Sequence, residues 1–527
     1  MATIDTTALH DGQSDAKVTA GAPQFSDTIL LTGSQVVKWS LRLVFVLCVA
    51  RALGPDRFGV YALLFALVEF LAVVSGSGYA DYLTRETAKN ARVGWGLPIQ
   101  LMLLRIAIAI PAAAMGIGIL TLLRYAHPVL AGTAWMALTL APRSLSEAVQ
   151  GVLRGIRQYA GCLVIELVLG GSLVVGAGFM LFRHGSLRTA IATEIAASVA
   201  ASLAALALAL KYKTREAIWL KGSHLVKTSA VFNAYSFLGS LYDRFDIVLL
   251  SKLAGDYATG IYSVAYRALG MTQILAYGVL YSLLPVLSRS AGGVEERRRL
   301  ERAMGFLLSV AFAVVLATIV FAGPAVRLLL GERYAESSSA LKILIWAVML
   351  RYVNWALNIT LLAAGREKVL VVTSLVCLAV NFIGNLVFIP LYSWRTAAVM
   401  TIATELVLLV QNLYWVRRAL GRVPRPWGMV RSSGVFAVLL GVALAGRYGG
   451  LPLVVGTLCL VIFAAYLYAS GMLAEFATVW GAGCGPDLNV APPSRAAHAV
   501  LKPGDSSAGL KPGATREIRT LPISRWG

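Results

Sequence analysis

Several charged and amide side chains stand inside apolar runs of the sequence. The cations and amides are Lys38, Arg42, Arg105, Arg143, Arg244, Arg267, Arg351, Asn354 and Asn358, and the acids are Glu69, Asp243, Asp246 and Glu405. A charge placed in a bilayer costs about 2.5–3.5 kcal/mol on insertion scales, so such residues either pair with a neighbouring helix or serve a ligand. Lys38 and Arg42 are one turn apart and share a face. Asp243 and Asp246 form an i, i+3 acidic face. Arg351, Asn354 and Asn358 make an i, i+3, i+7 polar stripe, which is expected to line a watery cavity. Arginine grips phosphate oxygens bidentately and asparagine pairs with hydroxyls, so the set suits a pyrophosphate joined to sugars. The four acids are the candidates for coupling to a proton or sodium gradient. Depth along the helices, at ~1.5 Å per residue, also matches Asp246 with Arg267, Arg42 with Glu69, and Arg105 with Glu147. For these six a structural pair is the equal alternative.

Other chemistry has no residues to carry it. The sequence contains no GxxxxGK[ST], GxSxG or HExxH pattern. The five histidines never approach metal-ligand spacing, and the five cysteines form no CxxC. No cofactor or metal is therefore expected, and the short loops leave no room for a catalytic domain.

These residues must be held by membrane helices. The chain has 527 residues, is 58% apolar and 14% charged, and has a mean hydropathy of +0.73. A soluble domain runs near 25% charged. Continuous apolar runs of about 20 residues mark an all-α polytopic protein and not a barrel. Candidate spans lie at 29–50, 59–80, 98–123, 128–150, 160–182, 187–210, 229–253, 260–288, 303–323, 338–363, 369–391, 395–417, 430–446 and 451–479. The net charge of +21 is explained by loop asymmetry: alternate loops hold 22 and 10 Lys and Arg. The basic set is read as cytoplasmic, with both termini inside and no nucleic acid needed.

The loop after the first span reads Arg51-Ala-Leu-Gly54-Pro-Asp-Arg-Phe-Gly59-Val-Tyr61. The loop after the seventh reads Lys252-Leu-Ala-Gly255-Asp-Tyr-Ala-Thr-Gly260-Ile-Tyr262. Cation, both glycines and tyrosine recur at one offset, 201. A six-span shift preserves topology, so the halves form a parallel repeat of two six-helix bundles. The expected organisation is a disordered tail (1–27), an N-terminal bundle (28–210), a basic linker (211–228), a C-terminal bundle (229–420), an extra helix pair (421–479) and a disordered basic tail (480–527).

The segment ARALGPDRFGVYALLFAL resembles the first-hairpin signature of the Wzx-type polysaccharide and O-antigen flippases of the multidrug/oligosaccharidyl-lipid/polysaccharide export superfamily. YDRFDIVLLSKLAGDYATGIYSVAYRALG and the run from LLAAGREKVL to TIATE are similar to their later helices. YSWRTAAV departs from their usual Gly-rich turn. The resemblance implies alternating-access flipping of an undecaprenyl-pyrophosphate-linked oligosaccharide across a bacterial inner membrane for O-antigen, exopolysaccharide or capsule. It also implies the bilayer, a polysaccharide polymerase and other assembly proteins as partners. The rivals are a cation-coupled multidrug exporter of the same superfamily, a lipid II flippase, and a membrane-embedded glycosyltransferase or ligase.

The loop asymmetry predicts that a reporter fused to the C-terminal tail is active only if it works in the cytoplasm. An active periplasmic reporter there would remove one span from the count.

Overall fold

The computed structural model describes residues 25–76, 78–89, 95–183, 185–211, 241, 244–273, 276, 279, 294–426, 428–446 and 451–471. Among them every regular element is helical. In chain order these are α1 (Phe25–Val74), α2 (Tyr79–Lys89), α3 (Gly96–Leu122), α4 (His127–Ala137), α5 (Leu140–Gly155), α6 (Tyr159–Phe182), α7 (Leu187–Lys211) and α8 (residues 244–273). Then follow α9 (Val294–Leu330), α10 (Ala335–Leu344), α11 (Ala347–Ala363), α12 (Glu367–Tyr392), α13 (Trp394–Leu420), α14 (Met429–Ala445) and α15 (Pro452–Ala469). Eight described helices are long and apolar enough to cross a bilayer, or nine if α10 and α11 count as one broken span. Large apolar side chains such as Leu122, Phe182 and Val430 are more than four-fifths exposed. Many others on the outer faces are also exposed, which suits lipid and not water as the surrounding solvent. The chain is a multi-pass membrane protein.

The helix breaks expose the repeat. Gly54 has φ +75° and cuts α1 into two spans, with Pro55 at the start of the second half, where a missing N–H costs nothing. Gly255 has φ +85° and does the same in α8. A side chain with a Cβ would be strained at either position. The fourth span of each half is also broken: α4 gives way to α5 at Leu138–Thr139, and α10 to α11 at Ile345–Trp346. Each half thus has a kinked hairpin, an unbroken third span, a broken fourth span and two further unbroken spans. The extra pair, α14 and α15, packs on α9 of the second half. Phe436 stacks on Phe312 at 4.5 Å, and Gly456 lies against Val320. Residues 1–24 of the first tail, 212–228 of the linker, the last tail and Asp243 lie outside the described residues, while residues 25–27 and Lys211 belong to α1 and α7.

The two hairpins meet at one end of the molecule. A Cβ on Gly59 would sit 1.8 Å from the Asp256 carbonyl oxygen, and one on Gly260 would sit 2.0 Å from the Pro55 carbonyl oxygen. Positions 59 and 260, and 55 and 256, are repeat mates, so these are two copies of one contact. The repeated cations are exchanged in the same way. Arg51 donates to the Leu328 and Leu329 carbonyls at 2.9 and 3.1 Å, at the C-terminus of α9. Lys252 donates to the Leu123 carbonyl at 2.5 Å, at the C-terminus of α3. A cation there satisfies an orphan carbonyl and faces the negative helix end, worth about 0.3–1 kcal/mol. Tyr334 donates to the Ala50 carbonyl at 2.8 Å, and Tyr125 to that of Val248 at 3.5 Å. Each half therefore holds the other through the same three devices.

Gly59→Ala should destabilise the protein by about 1–3 kcal/mol, because the methyl would overlap backbone rather than a movable side chain. Gly171→Ala, where a Cβ meets nothing within 4 Å, is the control. Thermal unfolding in detergent compares them; equal stability would show that the hairpins do not touch.

Candidate functional site

Deep between the halves, three arginines surround one ring. The guanidinium carbons of Arg42 (α1), Arg244 and Arg267 (both α8) lie 4.5, 4.9 and 5.0 Å from the centroid of Phe65. Residues 42 and 65 are 12 and 11 positions from Gly54, and 244 and 267 are 11 and 12 positions from Gly255. At the helical rise this puts all four near ~17 Å from the kinks, about halfway through a bilayer core. A cation over an aromatic face is stabilised by the ring quadrupole. Phe65 thus collects charges that would otherwise repel one another.

Among the described residues, carboxylates balance the cluster only in part. Arg42 pairs with Glu194 of α7 at 2.7 Å, and Tyr61 donates to the same carboxylate at 2.5 Å. Glu69 takes Arg143 of α5 at 2.7 Å and Arg244 at 3.9 Å. Among the described residues, Arg267 has no carboxylate within ion-pairing distance. The side chains of Arg42, Arg143 and Arg244 keep 21%, 26% and 28% of their surface. At mid-span depth such exposure requires a water-filled space, since charge facing lipid there would be penalised. On the side toward α6, Lys38 reaches Glu166 at 3.3 Å while its side chain stays 44% exposed. Gln150 donates to Glu166 from α5.

The repeated tyrosines do matching work inside each bundle. Tyr61 bonds Glu194, seven residues into α7. Tyr262 bonds Thr401, seven residues into α13, at 3.2 Å. Tyr262 also donates to Asp246. This corrects the depth match of Asp246 with Arg267. Positions 262 and 267 point roughly 140° apart on α8, so one turns into the second bundle and the other toward the first. Arg42 and Glu69 likewise take separate partners. Arg105 and Glu147 do form an ion pair at the α3–α5 contact, with the arginine buried and the glutamate partly exposed.

The polar stripe of α11 needs the largest correction. Arg351 is 4% exposed and pairs with Glu405 of α13 at 2.7 Å. Asn354, wholly buried, donates to the Glu405 side chain at 2.9 Å and to its carbonyl at 2.8 Å. Asn412 of α13 donates to Asn354 at 3.3 Å. The stripe faces a neighbouring helix and not water, because α13 brings a carboxylate to the same depth. Asn358 continues the stripe, with its buried Oδ1 unbonded in the structure. Spacing alone gives the direction of a polar face but not what stands opposite. Glu166, Glu194 and Phe65 are missing from the candidates read from the sequence. The two glutamates carry the same signal as the others, an acid inside an apolar helix. Phe65 carries none.

The sequence matches the family described as "Polysaccharide biosynthesis protein" over residues 25–291 and the MatE family over residues 234–387. Capsular polysaccharide biosynthesis protein CapF of Staphylococcus aureus is 27% identical over 186 residues, 35% of this chain. That stretch is 47% of CapF, so the chain spans about half the length of this relative. Among solved structures, the lipid II flippase MurJ in an inward closed conformation superposes with a TM-score of 0.65 at 13% identity. The match covers 84% of this chain and 99% of that one. An inward-facing MATE multidrug resistance transporter of the MOP superfamily gives 0.60 at 14% identity, covering 73% and 94%. At such identities the likeness is one of fold. With the family match running across the first bundle, both kinked hairpins and the arginine cluster, the chain belongs to the polysaccharide biosynthesis protein family and has the two-bundle fold of MurJ and the MATE transporters.

Proposed function

We propose that this protein flips an undecaprenyl-pyrophosphate-linked oligosaccharide from the cytoplasmic to the outer leaflet of a bacterial inner membrane, with both termini cytoplasmic. The convergence of Arg42, Arg244 and Arg267 on Phe65 carries the reading. These cations come from both halves, sit at mid-depth and are, among the described residues, incompletely neutralised. A pyrophosphate would relieve their mutual repulsion and accept their planar forks. Because Arg42 belongs to one half and Arg244 and Arg267 to the other, one bound anion favours the arrangement in which the halves close on it. The lipid tail would stay in the bilayer while the headgroup crosses the cavity. The capsular relative supports the polysaccharide pathway, and the lipid II flippase neighbour supports passage of a lipid-linked headgroup through this fold. No covalent step is needed, so the protein acts as a transporter and not as an enzyme. A multidrug exporter of cations is the weaker reading, since a cavity with surplus arginine repels its substrate. A proton or sodium gradient would act through the carboxylates, of which Glu69 touches the cluster directly.

Arg267→Ala should abolish surface polysaccharide at normal protein levels, since no ion pair among the described residues is broken. Arg351→Ala should instead lower the amount of folded protein, because a buried Glu405 left without its partner costs about 3–5 kcal/mol. Quantifying surface polysaccharide and membrane protein in a deletion host checks both. Wild-type export by Arg267→Ala would remove the cluster from the substrate path.

A further inference from the structure

Away from the arginine cluster, the ends of α11, α12 and α13 enclose a cavity of about 290 Å³ lined by Leu361, Arg366, Val369, Trp415, Arg418 and Ala419. The place of each cation is fixed locally. Gly365, at φ +68°, ends α11, and the Arg366 N–H returns to the Leu361 carbonyl at 2.9 Å while the Gly365 N–H returns to that of Leu362 at 3.0 Å. This Schellman closure sets Arg366 at the cavity edge. Arg418, in the last turn of α13, lies over the Trp415 ring at 5.6 Å and bonds the Tyr414 hydroxyl at 3.3 Å. Among the described residues neither Arg366 nor Arg418 has a carboxylate within ion-pairing distance. The cavity therefore offers two guanidinium groups above an apolar floor, beside a tryptophan, at the ends of membrane-spanning helices.

One face of α12 continues the floor. Val369, Val372 and Val376 follow at i, i+3 and i+7, and the last two are 52% and 42% exposed. The adjoining Val371 and Leu375 are exposed as well. An apolar strip that runs from two cations along a membrane helix matches an amphiphile with an anionic head and a hydrocarbon tail. Tryptophan at this level is the usual marker of the headgroup layer, and basic pockets between membrane helices are built to hold anionic head groups. A free anion would use the arginines but leave the strip idle.

We propose that this cavity binds the phosphate head of an anionic membrane phospholipid, with Arg366 and Arg418 on the phosphate, Trp415 beside the glycerol, and an acyl chain along Val369, Val372 and Val376. The site is separate from the arginine cluster at Phe65 and does not rest on the transport reading.

Native mass spectrometry of the full-length protein, titrated separately with phosphatidylglycerol, phosphatidylcholine and inorganic phosphate, tests this. The wild type should retain phosphatidylglycerol in preference to phosphatidylcholine, and inorganic phosphate should not displace it. Arg366→Gln with Arg418→Gln should weaken the tightest phosphatidylglycerol by about tenfold or more. Arg183→Gln, at an exposed helix end elsewhere, should leave it unchanged. A photoreactive phosphatidylglycerol should label peptides from 361–376 and 413–420 in the wild type and lose that labelling in the double variant, which also guards against misfolding of the variant. Undiminished affinity in the double variant, equal retention of phosphatidylcholine, or displacement by inorganic phosphate would each overturn the proposal.

Discussion

Two backbone carbonyl oxygens, of Pro55 and Asp256, occupy the space that a side chain at residues 260 and 59 would need. The rest of the architecture follows from that reciprocal approach. Because the glycines let the kinked hairpins come together backbone to backbone, Arg51 and Lys252 reach across to the third span of the opposite bundle. The same approach brings residues 42 and 65 of one hairpin level with 244 and 267 of the other. Cations from two bundles can then share one phenylalanine. A bulkier residue at either glycine would separate the hairpins and pull the cluster apart from above.

Polar groups in the interior are used in two ways, and exposure separates them. Arg351, Glu405, Asn354 and Asn412 are sealed between α11 and α13, where each satisfies another. Such a network is costly to break and specifies one packing of the second bundle. Around Phe65 the cations keep part of their surface exposed, and among the described residues the acids that touch them are too few to neutralise them all. The first arrangement is suited to holding a bundle rigid. The second is suited to a charge that comes and goes.

The repeat was legible because it is a pattern of residue types at a constant offset, and every member proves to have a mechanical reason. The cation caps the partner's helix, the first glycine bends the hairpin, the second admits the partner's carbonyl, and the tyrosine anchors the hairpin to the last helix of its own bundle. Most of the charged residues were legible, since hydrocarbon makes each conspicuous, but Glu166 and Glu194, which give the same signal, are missing from the candidates. The partners of these charges were not legible. Depth is a one-dimensional coordinate, and Asp246 with Arg267 shows that equal depth leaves the azimuth undetermined. Pairing such as Arg42 with Glu194 spans 152 positions and depends on which helices are neighbours. Phe65 could not be read at all, because a phenylalanine in an apolar helix is the commonest of residues until three guanidinium groups are seen around it.

The sealed pair of α11 and α13 also bears on how the protein is made. Arg351 is synthesised 54 residues ahead of Glu405. At roughly 5–20 residues per second, α11 waits about 3–10 s before its counter-charge exists. During that interval the helix carries an arginine without its carboxylate and is a poor candidate for release into lipid. The second bundle is therefore expected to leave the insertion machinery as a group, α11 held back until α13 arrives, rather than one helix at a time.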